Sequence, residues 1–171
     1  MEMIDLYNAQ KENLHKKWER KSTVEPPIGE YKLNVHVWFL NSKNELLIQK
    51  RGDNLKRHPG KWNFTGGAVD SDETSLEGAK RETKEELGID VNNLEYLLSF
   101  KREHDFVDVW IGRLDIDIDN LIVSEREVSE VKWVSLDELE ELMENKQFVP
   151  SLNLYYELFK KLLYKCYIVE E

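Results

Sequence analysis

The stretch Gly67-Ala-Val-Asp-Ser-Asp-Glu73-Thr-Ser-Leu-Glu-Gly-Ala-Lys-Arg81-Glu82-Thr83-Lys-Glu85-Glu86-Leu-Gly88-Ile89 decides how this chain is read. From Leu76 through Ala79 and Thr83 to Leu87 the apolar positions step by 3, 4 and 4 residues, which predicts a helix with one buried stripe, and Gly88 is placed as its C-terminal stop. At about 100° per residue, Glu82, Glu85 and Glu86 fall within an arc of about 100°, so their carboxylates share one narrow face beside the buried stripe. Like charges at i, i+4 repel by about 0.2–0.5 kcal/mol in water, and by more where water is partly excluded. Arg81 supplies one opposing charge, which three acids exceed. A solvated acidic face is the ordinary reading of such a cluster. Oxygen ligands in this number also suit Mg²⁺ or Mn²⁺, and the surrounding residues decide between the two.

Those residues resemble the Nudix box: Gly, five residues, Glu, seven residues, Arg-Glu, an aliphatic, any residue, Glu-Glu, any residue, Gly, an aliphatic. All seven fixed positions are matched within 23 residues, a coincidence expected in about one chain in 10⁵ from ordinary residue usage. Two positions depart from the pattern. Thr83 fills the first aliphatic slot, and Asp72 stands where a glycine often precedes the first glutamate; neither change removes a ligand. A weaker resemblance extends over residues 31 to 140.

The resemblance implies an α/β fold, a Nudix-type α/β/α sandwich with a mixed sheet. It also implies metal-assisted attack of water on a diphosphate linkage in a nucleoside diphosphate derivative or similar small molecule. By the same resemblance Glu82, Glu85 and Glu86 are catalytic and hold Mg²⁺ or Mn²⁺, and the main-chain carbonyl of Gly66 is a further metal ligand. Gly67, Glu73, Arg81 and Gly88 are the structural residues of the box. Glu127, six residues ahead of Trp133, stands where many relatives carry a glutamate that binds metal or acts as the base. Glu103, Asp105 and Asp108 are lesser candidates for that role.

Outward from the box, residues 31 to 40 alternate, with Leu33, Val35, Val37 and Phe39 on one side and Asn34, His36 and Trp38 on the other, which predicts a half-buried strand. Asn41-Ser42-Lys43-Asn44 turns the chain, and Leu46-Leu47-Ile48 returns as a hairpin partner. Residues 94 to 100 and 106 to 114 read as two strands. Asp115-Ile116-Asp117-Ile118-Asp119 suits an edge protected against pairing with other chains. A strand from Val131 to Val134 leads to a helix capped by Ser135 and Glu138. After Pro150, the residues Leu154, Leu158, Phe159, Leu162, Leu163 and Cys166 predict a C-terminal amphipathic helix, whose added Tyr156, Tyr164 and Tyr167 could also serve a homodimer. The expected organisation is an arm over 1–29, a hydrolase domain over 30–148 and a packed C-terminal helix over 149–171.

A net charge of −10 over 171 residues argues against nucleic acid as a general partner, so phosphate must meet local positive charge or metal. Lys50, Arg51, Lys56, Arg57, His58 and Lys61 provide a cationic lobe in which Arg51 and Arg57 are the candidate phosphate contacts, and His36, Trp38 and Phe64 are candidates to line the substrate pocket. One cysteine, no leader-like start and no apolar run of membrane length predict a cytoplasmic protein without a membrane partner. Asp5-Leu6-Tyr7, Val35-His36-Val37-Trp38 and Gln49-Lys50-Arg51 also resemble the superfamily branch that contains isopentenyl-diphosphate isomerase. That enzyme needs a cysteine after the Trp-containing loop, where this chain has Trp62-Asn63-Phe64-Thr65, and a histidine where Lys32 stands. Non-catalytic ligand-sensing Nudix modules tend to lose box glutamates, all of which are present.

Overall fold

The alternation of residues 31–40 is seen in the structure, a computed structural model whose description covers residues 2–20 and 24–168. Residue 1, residues 21–23 of the expected arm and residues 169–171 of the expected C-terminal segment lie outside the described residues. In chain order the strands and helices are β1 (Met3–Tyr7), β2 (Asn13–Glu19), β3 (Lys32–Leu40), β4 (Leu46–Arg51), β5 (Trp62–Asn63), β6 (Thr65–Ala68), α1 (Ser75–Leu87), β7 (Glu95–Lys101), β8 (Asp105–Arg113), β9 (Val128–Val134), α2 (Leu136–Glu144) and α3 (Tyr156–Cys166). Single 3₁₀ segments occupy Ile118–Asn120 and Pro150–Leu154.

β3 is the centre of a seven-stranded mixed sheet. It runs parallel to β8 from Lys32↔Asp105 to Leu40↔Arg113, and pairs antiparallel with β6 from Asn34↔Ala68 to Val37↔Thr65. The turn into β4 is made by Asn41, whose side-chain oxygen accepts from the amides of Lys43 and Glu45 at 3.0 and 2.8 Å. Leu40 and Leu46 pair across this hairpin, after which β4 leaves β3 and pairs with β9 and β5. The space between the diverging strands is where Gln49 of β4, Thr65 of β6 and Glu86 of α1 meet.

Both faces of β3 are covered, so the half-buried strand expected from its alternation is corrected to one buried on both faces from Val35 onward, with only Lys32 and Asn34 partly exposed. Leu33, Val35, Val37 and Phe39 pack with Ala79 and Leu87 of α1 on one face. Trp38 and Leu40 pack with Leu139 of α2 and Phe159 and Leu163 of α3 on the other. The result is an α/β/α sandwich. Two of the three helices begin with a capping box, α1 with Thr74 and Glu77 and α2 with Ser135 and Glu138. Gly88 ends α1 at φ 72° in the left-handed region, where a side chain would be strained.

β1 and β2 form a separate antiparallel hairpin that is fastened to the loop before α1. Ile4 and Leu6 are fully buried against Ala68, and Asp5 accepts from the Ser71 hydroxyl at 2.7 Å and the Asp72 amide at 3.2 Å. Two sequence expectations are corrected elsewhere. Asp115–Asp119 forms no edge strand: Asp115 takes the amide and hydroxyl of Ser42, both at 2.8 Å, and Asp117 caps the 3₁₀ turn that follows. On the C-terminal helix, Leu154 and Leu158 face solvent at 62% and 52% exposure, while Tyr155, Tyr156, Phe159 and Leu163 are buried. The 3₁₀ segment before α3 shifts the helical phase, and this rotates the buried stripe toward the tyrosines. No helix among the described residues is long and apolar enough to cross a membrane.

Phe159→Ala is expected to cost about 3–5 kcal/mol in denaturant unfolding, because it empties the layer between Trp38 and α3. Leu158→Ala, one residue away on the exposed face, should stay within about 0.5 kcal/mol.

Candidate active site

The box places its charged residues on the face of α1 that looks toward β6 and β4. Arg81 is the organising side chain. Its Nε and Nη2 donate to the two carboxylate oxygens of Glu73 at 2.9 and 3.0 Å, Nη2 also donates to the carbonyl of Ala68 at 2.8 Å, and Nη1 donates to Glu82 at 2.9 Å and Glu85 at 3.2 Å. Burial alone depresses the guanidinium's pKa, but Glu73 and Glu82 outweigh it and hold the pKa raised. Glu73 in turn accepts from the Asp70 amide at 3.0 Å, so the loop between β6 and α1 is tied to the helix at both ends. Glu82 lies directly over Gly67, where a Cβ would sit 2.3 Å from its Oε1.

Glu86 is more deeply placed. Its Oε2 accepts from Gln49 Nε2 at 2.7 Å and from the Gly66 amide at 3.2 Å, and Gln49 is itself held by the Thr65 hydroxyl at 3.2 Å. Burial first, then the charge of Glu82, push the Glu86 carboxyl up to about 8, against the two hydrogen bonds that oppose the shift. Burial also raises Glu82, with Arg81 opposing. Glu127, exposed just before β9, adds a further negative charge that raises Glu86.

Acidic oxygen therefore dominates this part of the cleft, and Glu86 faces only neutral hydrogen-bond donors. The donor set is oxygen alone, which fits a hard divalent cation of the Mg²⁺ or Mn²⁺ type. Among the described residues no three His, Cys, Asp or Glu side chains are gathered round one point, because Arg81 lies between Glu82 and Glu85 while Glu86 is turned to Gln49.

The cleft around these acids is lined by Gln49, Arg51, Gly66, Gly67, Arg81 and Glu127, and also by Arg20 from the N-terminal hairpin. Arg51 is partly buried and has no carboxylate at ion-pair distance among the described residues; burial lowers its pKa while Glu86 and Glu127 oppose that shift. Arg57 lines the adjoining bay and pairs with Glu25 at 3.2 Å. His36 and Phe64 line that bay too, with ring centroids 3.9 Å apart. His36 is held neutral by burial and by nearby Arg102.

Trp38 does not reach the cleft. It is fully buried between Phe64 and Phe159, so its face of β3 carries a core residue where a pocket residue was expected. The lesser acids are also engaged elsewhere: Asp105 with Arg102 and Asn34, Asp108 with Lys11. Gln49, Arg20, Arg102 and Tyr155 were not singled out by sequence. Gln49 had a visible signal, a lone amide after the apolar run Leu46-Leu47-Ile48; the other three had none.

The NUDIX domain model matches residues 30–154. The chain belongs to the Nudix family. An uncharacterized Nudix hydrolase of Listeria innocua is 37% identical over 163 residues, covering 92% of this chain and 95% of that protein. Another, from Listeria monocytogenes, is 35% identical and covers 88% of this chain and 89% of its own length. Among solved structures, the crystal structure of DR0079 from Deinococcus radiodurans superimposes with a TM-score of 0.76 at 22% identity, over 98% of this chain and all of that one, which shows the shared fold. As a Nudix hydrolase the chain acts on phosphorus anhydrides, and Nudix enzymes generally use divalent metal ions.

Two neighbouring glycines of this Nudix site separate structure from chemistry. Gly66→Ala would set a Cβ 2.1 Å from the carbonyl oxygen of Val35, in the middle of β3, and is expected to destabilise by about 1–3 kcal/mol or more. Gly67→Ala meets no backbone but the carboxylate of Glu82, which must leave its place over Gly67 and its bond to Arg81, so the melting temperature should fall less than in Gly66→Ala while activity falls about 10²-fold through the displaced carboxylate. Thermal melts and steady-state rates on both variants check this contrast.

Proposed function

We propose that the chain is a divalent-metal-dependent hydrolase in which Glu82, Glu85 and Glu86 hold Mg²⁺ or Mn²⁺. In this reading water is directed at phosphorus in the diphosphate linkage of a nucleoside diphosphate derivative or similar small molecule. The observation that carries the reading is the Glu86 carboxylate, buried beside Glu82 with only neutral donors on it. Burial and the charge of Glu82 resist ionisation of this carboxyl, and a divalent cation in the cleft would favour its charged, ligating form. These glutamates and the Gly66 carbonyl would hold the divalent cation, which when bound would neutralise diphosphate charge and lower the pKa of the attacking water.

The protein's own groups supply the rest. Gln49 and the Gly66 amide orient Glu86, and Arg81 spaces Glu82 from Glu85. Glu127 is the base that takes the proton of the attacking water, a role supported by its place at the cleft beside Glu86. Arg51, with no carboxylate at ion-pair distance among the described residues, contacts a substrate phosphate, and Arg57 stands beyond it. The isomerase alternative finds no cysteine among the residues lining the cleft; Cys166 is exposed at the end of α3.

Activity should require added divalent cation, and Glu86→Gln should reduce it steeply with the fold intact. Glu127→Gln should lower kcat by about 10²–10⁴ with a smaller effect on KM, and Cys166→Ser should leave turnover unchanged. In heavy-oxygen water the label should enter a phosphate-containing product. Unchanged turnover in Glu86→Gln, or rearrangement of isopentenyl diphosphate without a phosphorus product, would overturn the proposal. Exposed Leu154, Leu158 and Tyr164 support a separate proposal, that two copies associate through this face. A monomer mass at every concentration in light scattering removes it.

A further inference from the structure

From Gly66 and Gly67 the cleft continues into a bay that the glutamates do not enter. Its lining includes Arg51, Arg57 and Arg102 and no Asp or Glu, on a chain whose net charge is −10. Arg102 is forked onto Asp105 through Nε and Nη2 at 2.6 and 2.8 Å and Arg57 is paired with Glu25, whereas Arg51 has no carboxylate at ion-pair distance among the described residues, Glu86 and Glu127 acting on it only from further off. The inner wall of the bay is the ring of His36, which lies against Phe64.

The proton on that ring can be located by counting donors. Tyr155 Oη lies 3.1 Å from His36 Nδ1 and 3.1 Å from Trp38 Nε1, in the interior, with no further partner among the described residues. An indole N–H can only donate, so Tyr155 Oη accepts from Trp38. If His36 Nδ1 also donated, the one phenolic hydrogen would be stranded in an apolar interior, at a cost of about 1–3 kcal/mol. The same count excludes the doubly protonated ring. Tyr155 therefore donates to Nδ1, the ring proton sits on Nε2, and Nε2 has no partner among the described residues.

We propose that His36 is a fixed Nε2–H donor to a substrate phosphate oxygen, and that Tyr155 is the positioning residue that sets its tautomer. The bay then receives phosphate, not a base or a sugar. This rests on the reading of the cleft as a diphosphate site and adds which part of the substrate lies beyond Gly66. The bay offers N–H donors of both charged and neutral kinds to an anion, and no carboxylate to repel it.

The test uses the full chain labelled with nitrogen-15, in EDTA, so that neither metal nor turnover enters. The His36 ring is expected to carry its proton on Nε2 alone, and the Nε2–H signal to shift saturably as inorganic pyrophosphate is added but not as adenosine is added. By calorimetry His36→Phe should weaken pyrophosphate binding about tenfold, and His36→Gln, whose amide reaches the Nε2 position, should recover it to within about threefold. Tyr155→Phe should leave a mixture of the two ring tautomers and bind pyrophosphate more weakly. A proton on Nδ1 in the unmodified protein, an Nε2 signal indifferent to pyrophosphate, or an equal response to adenosine overturns the proposal. The heavy-oxygen experiment is decided separately, so either reading can fail without the other.

Discussion

The guanidinium of Arg81 is the constraint on which the cleft depends. One planar fork engages Glu73, the carbonyl of Ala68, Glu82 and Glu85 at once, so a single side chain fixes the loop to its helix and keeps neighbouring acids apart. A lysine would reach one of these groups as a point charge and lose the rest. Because Arg81 is engaged on all sides, Glu82 has one place to lie, over Gly67, and the absence of a side chain there follows from the fork rather than from a turn. Glu86, one turn further on, is out of the fork's reach and is handed to Gln49, whose strand has just parted from β3.

How much of this was legible follows from what each pattern encodes. The box helix was readable because acid spacing, apolar period and stop glycine agree on one element, and α1 ends at Gly88 as that agreement requires. The cap of α2 was readable because both of its partners lie within three residues of each other. Trp38 was a pocket candidate beside a packed alternative, and the structure buries it, because a period of two distributes side chains between faces but cannot say whether a face meets solvent, a pocket or another layer. The stripe on α3 was misphased because the 3₁₀ segment Pro150–Leu154 sets where helical counting begins, and no residue type marks that boundary. Asp115–Asp119 looked like strand because alternation was read without the competing donors of Ser42, 73 residues away at closest count.

Charge is unevenly distributed in the cleft: acids outnumber the guanidiniums of Arg20, Arg51 and Arg81 around the helix face, while the bay beyond Gly66 is lined by guanidiniums without a carboxylate. Arg51 lines both regions. On a protein whose net charge of −10 repels anions, this arrangement sets local attraction inside a depression, where low-dielectric walls strengthen it and dissolved salt screens it less than at the open surface.

Finally, the groups that hold the cleft come from far apart in the chain. Asp5 reaches the box loop across 66 positions, and Tyr155 reaches β3 across 117 and 119. Contacts of such separation carry a large loop-closure cost and form slowly, after local elements such as α1. The spacing of acids along α1 is a local property, whereas the floor and the brace of the site need these distant partners. The cleft is therefore complete only when the last long-range contacts have formed, whatever local order α1 has reached by then.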